Sequence, residues 1–148
     1  MDLALPKDFK EFLKLLNANG VRYLLIGGFA VGFHGHPRAT NDLDIFVADD
    51  EANAERLVKT LADFTFQAEN LSTELFTKQK SLIEIGVEPI KIEIINYASG
   101  LQFEHAYRNR IIGIIDETEI SLISLNDLKI NKKAAGRYKD LDDLEHLS

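Results

Sequence analysis

At 148 residues the chain has the length of one ordinary domain, and 45% hydrophobic with 28% charged residues is a globular composition. The absence of cysteine excludes a disulfide framework, thiolate zinc sites and a cysteine nucleophile. A net charge of −7 speaks against a surface devoted to duplex nucleic acid, and no apolar run reaches the roughly 18 residues of a membrane span.

From Met1 to Leu16 the chain interleaves Asp2, Lys7, Asp8, Lys10 and Glu11 with its apolar residues. It lacks the apolar core of a signal peptide, so a cytoplasmic protein without membrane contact is expected. Phe9, Phe12, Leu13 and Leu16 recur at helical spacing and predict a helix from about Pro6 to Ala18, with Pro6 in its first turn and Gly20 as its stop. Val21 to Ile26 reads as a mostly buried strand that runs into Gly27-Gly28, and a short helix is expected from Phe29 to His34. His36 to Asn41 has the chemistry of a loop. Asp42 to Ala48 alternates as a strand, with Leu43, Ile45 and Val47 on one face. A helix follows from about Asp50 to Ala62, and Phe64 to Lys80 carries no legible pattern.

Leu82 to Ile85 and Ile90 to Ile95 read as strands joined by a turn at Gly86-Val87-Glu88-Pro89. Beyond a short helix at Phe103 to Asn109, Ile111 to Ile115 and Glu119 to Leu122 form a hairpin around Asp116-Glu117-Thr118. Ser124 opens a helix that runs to Ala135 and stops at Gly136, with Asp127 placed as in a capping box. A last helix is expected from Leu141 to Leu147. With no repeat and no long linker, the order of elements predicts a single α/β (α+β) domain with a central mixed sheet flanked by helices.

Three features of this chain carry chemistry. Gly27-Gly28 lets the backbone approach a ligand where a strand turns into a helix, whose first N–H groups favour an anion. Asp42 and Asp44, two apart in a strand, project from one face, and like charges so close call for a cation. Oxygen ligands of that kind suit Mg²⁺. An acid between apolar residues on a later strand supplies a third carboxylate. Ile92-Glu93-Ile94 and Ile83-Glu84-Ile85 share that pattern, and pattern alone does not choose between them. His34 and His36, which straddle Gly35, make a poor metal site by themselves.

With Ile26-Gly27-Gly28, thirteen intervening residues, Asp42-Leu43-Asp44-Ile45 and then Ile92-Glu93-Ile94, the chain resembles the nucleotidyltransferase superfamily that includes DNA polymerase β. Tyr23 through Ile45 and Asn131 through Leu141 are more closely similar to small bacterial nucleotidyltransferase-like proteins near the abortive-infection and toxin–antitoxin relatives. Glu93 departs from their usual Asp by one methylene.

The resemblance implies a nucleotidyltransferase fold that moves a nucleoside monophosphate from an NTP such as ATP to an acceptor and releases pyrophosphate. It implies a two-metal Mg²⁺ site on Asp42, Asp44 and Glu93, with Glu93 rather than Glu84 as the third carboxylate and as a possible base. Gly27 and Gly28 would hold the triphosphate, and Arg38 and Thr40 would contact phosphate. Lys132, Lys133 and Arg137 would form a cationic wall, with Lys133 and Arg137 four apart on one helical face; the competing reading pairs this basic face with Asp140, Asp142 and Asp143. The acceptor is a tRNA end, a protein hydroxyl or a small molecule. A protein partner or a second copy could complete the acceptor site, in a toxin–antitoxin or phage-defence setting. The alternative from a different class is a catalytically silent binding module on the same fold. A dinucleotide-binding domain is disfavoured by the lack of a third phosphate-loop glycine.

Overall fold

The computed structural model describes residues 5–37, 40–64, 71–87 and 90–147. Helix α1 (Lys7–Ala18) buries Phe9, Phe12, Leu13 and Leu16, the four apolar residues at helical spacing. Pro6 is its N-cap, and Gly20, at φ 68°, follows its end. Strand β1 (Tyr23–Ile26) is buried throughout. It opens two residues later than expected because other groups bind the backbone ahead of it. The Val21 N–H donates to Leu16 O at 3.0 Å, and the Arg22 N–H donates to the Asn53 side chain at 2.7 Å.

Helix α2 (Gly27–Phe33) starts at the first glycine, without any spacer after β1. Strand β2 (Asp42–Val47) leads to α3 (Glu51–Phe64). A single turn, α4 (Glu74–Thr77), lies in the stretch that has no legible pattern, since four residues are too few to display a period. Strands β3 (Leu82–Val87) and β4 (Ile90–Ile95) pair antiparallel, β3 running two residues further than its sequence suggests. Helix α5 (Phe103–Arg108) precedes the hairpin of β5 (Ile111–Ile115) and β6 (Thr118–Leu122). Asp116 and Glu117 both take positive φ at the hairpin tip, as a two-residue turn matched to strand twist requires.

Ser124 caps α6 (Leu125–Ala135) by accepting the Asp127 N–H at 3.2 Å. Gly136, at φ 68°, ends it in the left-handed conformation. Helix α7 (Tyr138–His146) begins three residues before its expected start at Leu141. Its first turn has no apolar signal, with Tyr138 94% exposed. What starts it is Asp140, whose carboxylate accepts the Arg137 backbone N–H at 3.2 Å.

Among the described residues the strands form one six-stranded mixed sheet in the order β3-β4-β2-β1-β6-β5. β1 runs antiparallel to β2 and parallel to β6, and β2 runs parallel to β4. Leu43, Ile45, Leu24 and Leu25 at the centre of the sheet are fully buried, as are Phe12 and Leu16 of α1 and Leu57 and Leu61 of α3. No described helix is long and apolar enough to cross a membrane.

Candidate active site

Alternation along β2 decides what each side chain meets. Leu43 and Ile45 are fully buried in the core, while Asp42 and Asp44 are half-buried on the other face. Further along that face Phe46 is buried edge-on against Phe103 of α5, so the polar surface is confined to the start of the strand. Parallel pairing with β4 places Asp44 beside Glu93 and Asp42 beside Lys91. Residues in register project to the same side, so three carboxylates rise from two neighbouring strands. Glu84 lies one strand further out, in register with Glu93, and forms an ion pair with Lys91 at 3.7 Å.

The two glycines fit around this cluster. Gly27 takes φ 73°, and a methyl group there would overlap the Asp44 carboxylate. A methyl at Gly28 would come 2.7 Å from Thr40 Oγ1. The glycines therefore make room first for an acid and for the loop that leads to it, as well as baring the backbone at the head of α2.

These residues line one cleft of about 700 Å³. Gly27, Gly28, Thr40, Asp42, Asp44, Glu93 and Arg137 all face it, and Glu84 does not. Arg38 lies outside the described residues. Lys133 is exposed and is not part of the lining; Lys132 is. One helical residue is a turn of about 100°, which separates the two lysines' directions. The expected single face of Lys133 and Arg137 is also absent, because α6 has ended before Arg137, which caps α7.

The competing reading of the basic segment accounts for Lys132. Its Nζ is buried between Asp140 Oδ1 at 3.2 Å and Asp143 Oδ2 at 3.0 Å. Arg137 Nε donates to Asp140 Oδ2 at 2.7 Å. Burial acts against ionisation of Asp140, but the hydrogen bonds from Arg137 and Lys132 outweigh it and hold the carboxyl below its ordinary range. The hydrogen bond to Asp140 raises the Arg137 guanidinium, with smaller contributions from the Asp44 and Glu93 charges across the cleft.

Among the described residues, Asp44 has no cation at hydrogen-bonding distance to match. Burial, a hydrogen bond with Glu93, and the charges of Glu93 and Asp42 push the Asp44 carboxyl up to about 8, with Lys132 acting weakly in the opposite sense. That is the behaviour of like charges brought together without a cation. A donor set made of carboxylate oxygens and short of positive charge fits Mg²⁺.

Several lining residues have little signal in the sequence. Lys80 places its Nζ 3.9 Å over the Tyr97 ring, forming a cationic and aromatic rim opposite the glycines. Asn131 is anchored by donating to Ser99 O at 2.9 Å. Of the loop histidines, His34 Nε2 lies 2.8 Å from Ile123 O and ties α2 to the end of β6. His36 instead stacks on His146 of α7.

The sheet, its flanking helices and the glycine–carboxylate cleft define a protein of the nucleotidyltransferase fold. Residues 4–147 match the family described as "Nucleotidyltransferase of unknown function (DUF6036)", and the chain belongs to that family. Similar solved structures include a candidate nucleotidyltransferase from Thermotoga maritima, at 17% identity and TM-score 0.66, covering 97% of this chain and 94% of that one. The lincosamide antibiotic adenylyltransferase LnuA, solved with lincomycin bound, is similar at 15% identity and TM-score 0.59, covering 97% and 96%. An antigenic nucleotidyltransferase-like protein from Paracoccidioides brasiliensis is similar at 17% identity and TM-score 0.54, covering 98% and 78%. No protein of curated function matches the chain by sequence.

Proposed function

We propose that this chain is a single-domain, Mg²⁺-dependent enzyme that transfers a nucleoside monophosphate from an NTP to a hydroxyl acceptor. The observation that carries the proposal is that Asp42, Asp44 and Glu93, from parallel-paired strands with Asp44 in register with Glu93, line the one cleft that Gly27 and Gly28 also line. Asp42, Asp44 and Glu93 would hold the metal, which when bound supplies charge for the triphosphate and for the oxygen that attacks it. Gly27 and Gly28 leave backbone N–H groups open to the phosphates, and Thr40 adds a hydroxyl at the same rim. Arg137, whose side chain is largely exposed, sets positive charge across from the carboxylates, where charge develops during transfer. Arg38 would add a guanidinium for phosphate, as the sequence resemblance implies, while Lys133 would act from outside this lining.

In the reaction the acceptor oxygen forms a bond to the α-phosphorus while the bond from that phosphorus to the bridging oxygen breaks. Pyrophosphate leaves with the electron pair. Glu93 accepts the acceptor's hydroxyl proton. The similarity to LnuA in fold makes a small-molecule hydroxyl one acceptor to test, beside a protein hydroxyl and a tRNA end. Cytoplasmic location rests on the charged residues interleaved through the first sixteen positions, a partner or second copy at the acceptor end on the small size of the domain, and a toxin–antitoxin or phage-defence setting on the sequence resemblance.

Calorimetric titration with each NTP, with and without Mg²⁺, tests the proposal. Magnesium-dependent binding is expected in the wild type and should be lost in an Asp42→Asn/Asp44→Asn double variant. Equal binding by both proteins would sink the proposal.

A further inference from the structure

We propose that His36, Asp142 and His146 form a second cation site, for a zinc-class divalent ion, that ties the loop between α2 and β2 to helix α7. Among the described residues this is where His and acidic side chains converge best, with one ligand atom from each lying within 4.8 Å of the others. The three come from two elements far apart in sequence. Asp142 and His146 are four apart on α7 and so share one helical face. His36 reaches them from the loop that leads to Thr40 and Asp42.

The donor chemistry points to a particular class of ion. Two imidazoles and one carboxylate suit Zn²⁺, Co²⁺ or Ni²⁺, whereas Mg²⁺ is drawn to the all-oxygen cluster in the cleft. His146 Nδ1 lies 2.8 Å from Asp142 O, one turn back along its own helix. With Nδ1–H donating to that carbonyl, the lone pair is left on Nε2, and the ring is oriented as metal-ligating histidines usually are. Asp142 Oδ1 lies 3.9 Å from His146 Nδ1, so the carboxylate must turn toward Nε2 to share an ion with it. Three protein donors leave a fourth position of a tetrahedral ion for water.

The His36 and His146 rings stack with centroids 4.0 Å apart and planes 9° from parallel. One ion cannot lie in both planes of such a stack, so loading turns at least one imidazole about its side-chain torsions. His36 is half-buried and His146 exposed, which leaves room for that rotation. The bound ion would pin the loop against α7, the helix whose Asp140 and Asp143 hold Lys132 at the cleft.

The test is titration of the full chain with Zn²⁺ in the absence of nucleotide, together with Co²⁺ absorption spectroscopy. One equivalent should bind, and Co²⁺ should show the ligand-field bands of a nitrogen-containing site. Proton NMR of the four histidines gives a readout that needs no variant. Zn²⁺ should move the imidazole signals of His36 and His146 and leave those of His34 and His105 in place. The His36→Ala/His146→Ala variant should lose more affinity than the ~10–100-fold typical of losing an outer-shell partner. Asp42→Asn/Asp44→Asn should bind this Zn²⁺ as the wild type does, which separates the site from the proposed catalytic metal. Unmoved His36 and His146 signals, or Zn²⁺ affinity unchanged in the double-histidine variant, would overturn the proposal. So would loss of the ion only when the cleft acids are removed.

Discussion

Two groups of desolvated charge face each other across one cleft, and they are resolved in opposite ways. On the helical wall, the Lys132 side chain is 4% exposed, and Asp140 and Asp143, each 1% exposed, meet it at hydrogen-bonding distance. Arg137 adds a second cation to Asp140. On the sheet wall, Asp44 hydrogen-bonds Glu93 with the charge of Asp42 close by, and burial with these like charges pushes the Asp44 carboxyl up to about 8. A buried charge cluster that completes itself serves the fold. One short of positive charge among the described residues is the kind of cluster that the proposed metal would complete.

Removing the cation from the completed cluster should have the largest effect. Lys132→Met takes the buried cation from Asp140 and Asp143, leaving Asp140 its hydrogen bonds from Arg137, and should cost about 3 kcal/mol of stability in urea unfolding, at the lower end for a broken buried pair. Gly27→Ala attacks the sheet wall sterically. Its methyl would force Asp44 aside at a positive-φ position, for a loss of about 1–3 kcal/mol and of Mg²⁺-dependent NTP binding.

Asp44→Asn should act with the opposite sign on stability. A carboxyl raised so far costs the fold stability once it must ionise, so the metal-free variant should be more stable than the wild type at pH 8, by roughly 1 kcal/mol or more. Its NTP binding with Mg²⁺ should nevertheless be weaker, a separation of stability from function that Lys132→Met would not show.

The same carboxyl sets a pH dependence. Its folded-state value of about 8 lies above the 3.8 of an unperturbed group, so between these values the folded state holds a proton that the unfolded state has released. Its stabilising contribution is therefore present in full below the unfolded value and is lost as pH rises through the folded one. Thermal unfolding of metal-free protein should show a falling Tm between pH 5 and pH 8, about, with Asp44→Asn flattening the trend. Mg²⁺ should raise the Tm more at the upper end of that range, where it competes with fewer protons. The smallest effect is expected at Glu84→Gln, which touches an ion pair with a half-exposed carboxylate and should change stability by under about 0.5 kcal/mol.

The sheet wall was readable in the sequence because its chemistry is local. Alternation along Asp42 to Val47 separates acids from core residues, and Gly27-Gly28 marks the close approach whatever the rest of the chain does. The resemblance favours Glu93 over Glu84, and no local pattern separates the two; in the fold β4, which carries Glu93, lies beside β2, and β3, which carries Glu84, lies beyond it. The helical wall was less legible. Lys132 and Lys133 are neighbours of one type, and only the phase of α6 together with the early start of α7 says which turns inward. The His36–His146 stack is formed by two segments that meet only in the folded chain, so neither residue announces the other. Lys80 and Tyr97 have neutral neighbours and no motif, and they reach the cleft through the packing of β3 and β4.

The pairing of β2 with β4 fixes more than a sheet. Because side chains alternate with a period of two, sliding β4 by one residue against β2 would turn Glu93 into the core and bring Ile92 or Ile94 to the cleft. Ile94 is fully buried and Ile92 nearly so, and a carboxylate in either place would be desolvated without a partner. The hydrophobic core thus acts as a proofreader of the acidic site: a ladder misaligned by one residue is rejected on packing grounds before its chemistry is ever tried.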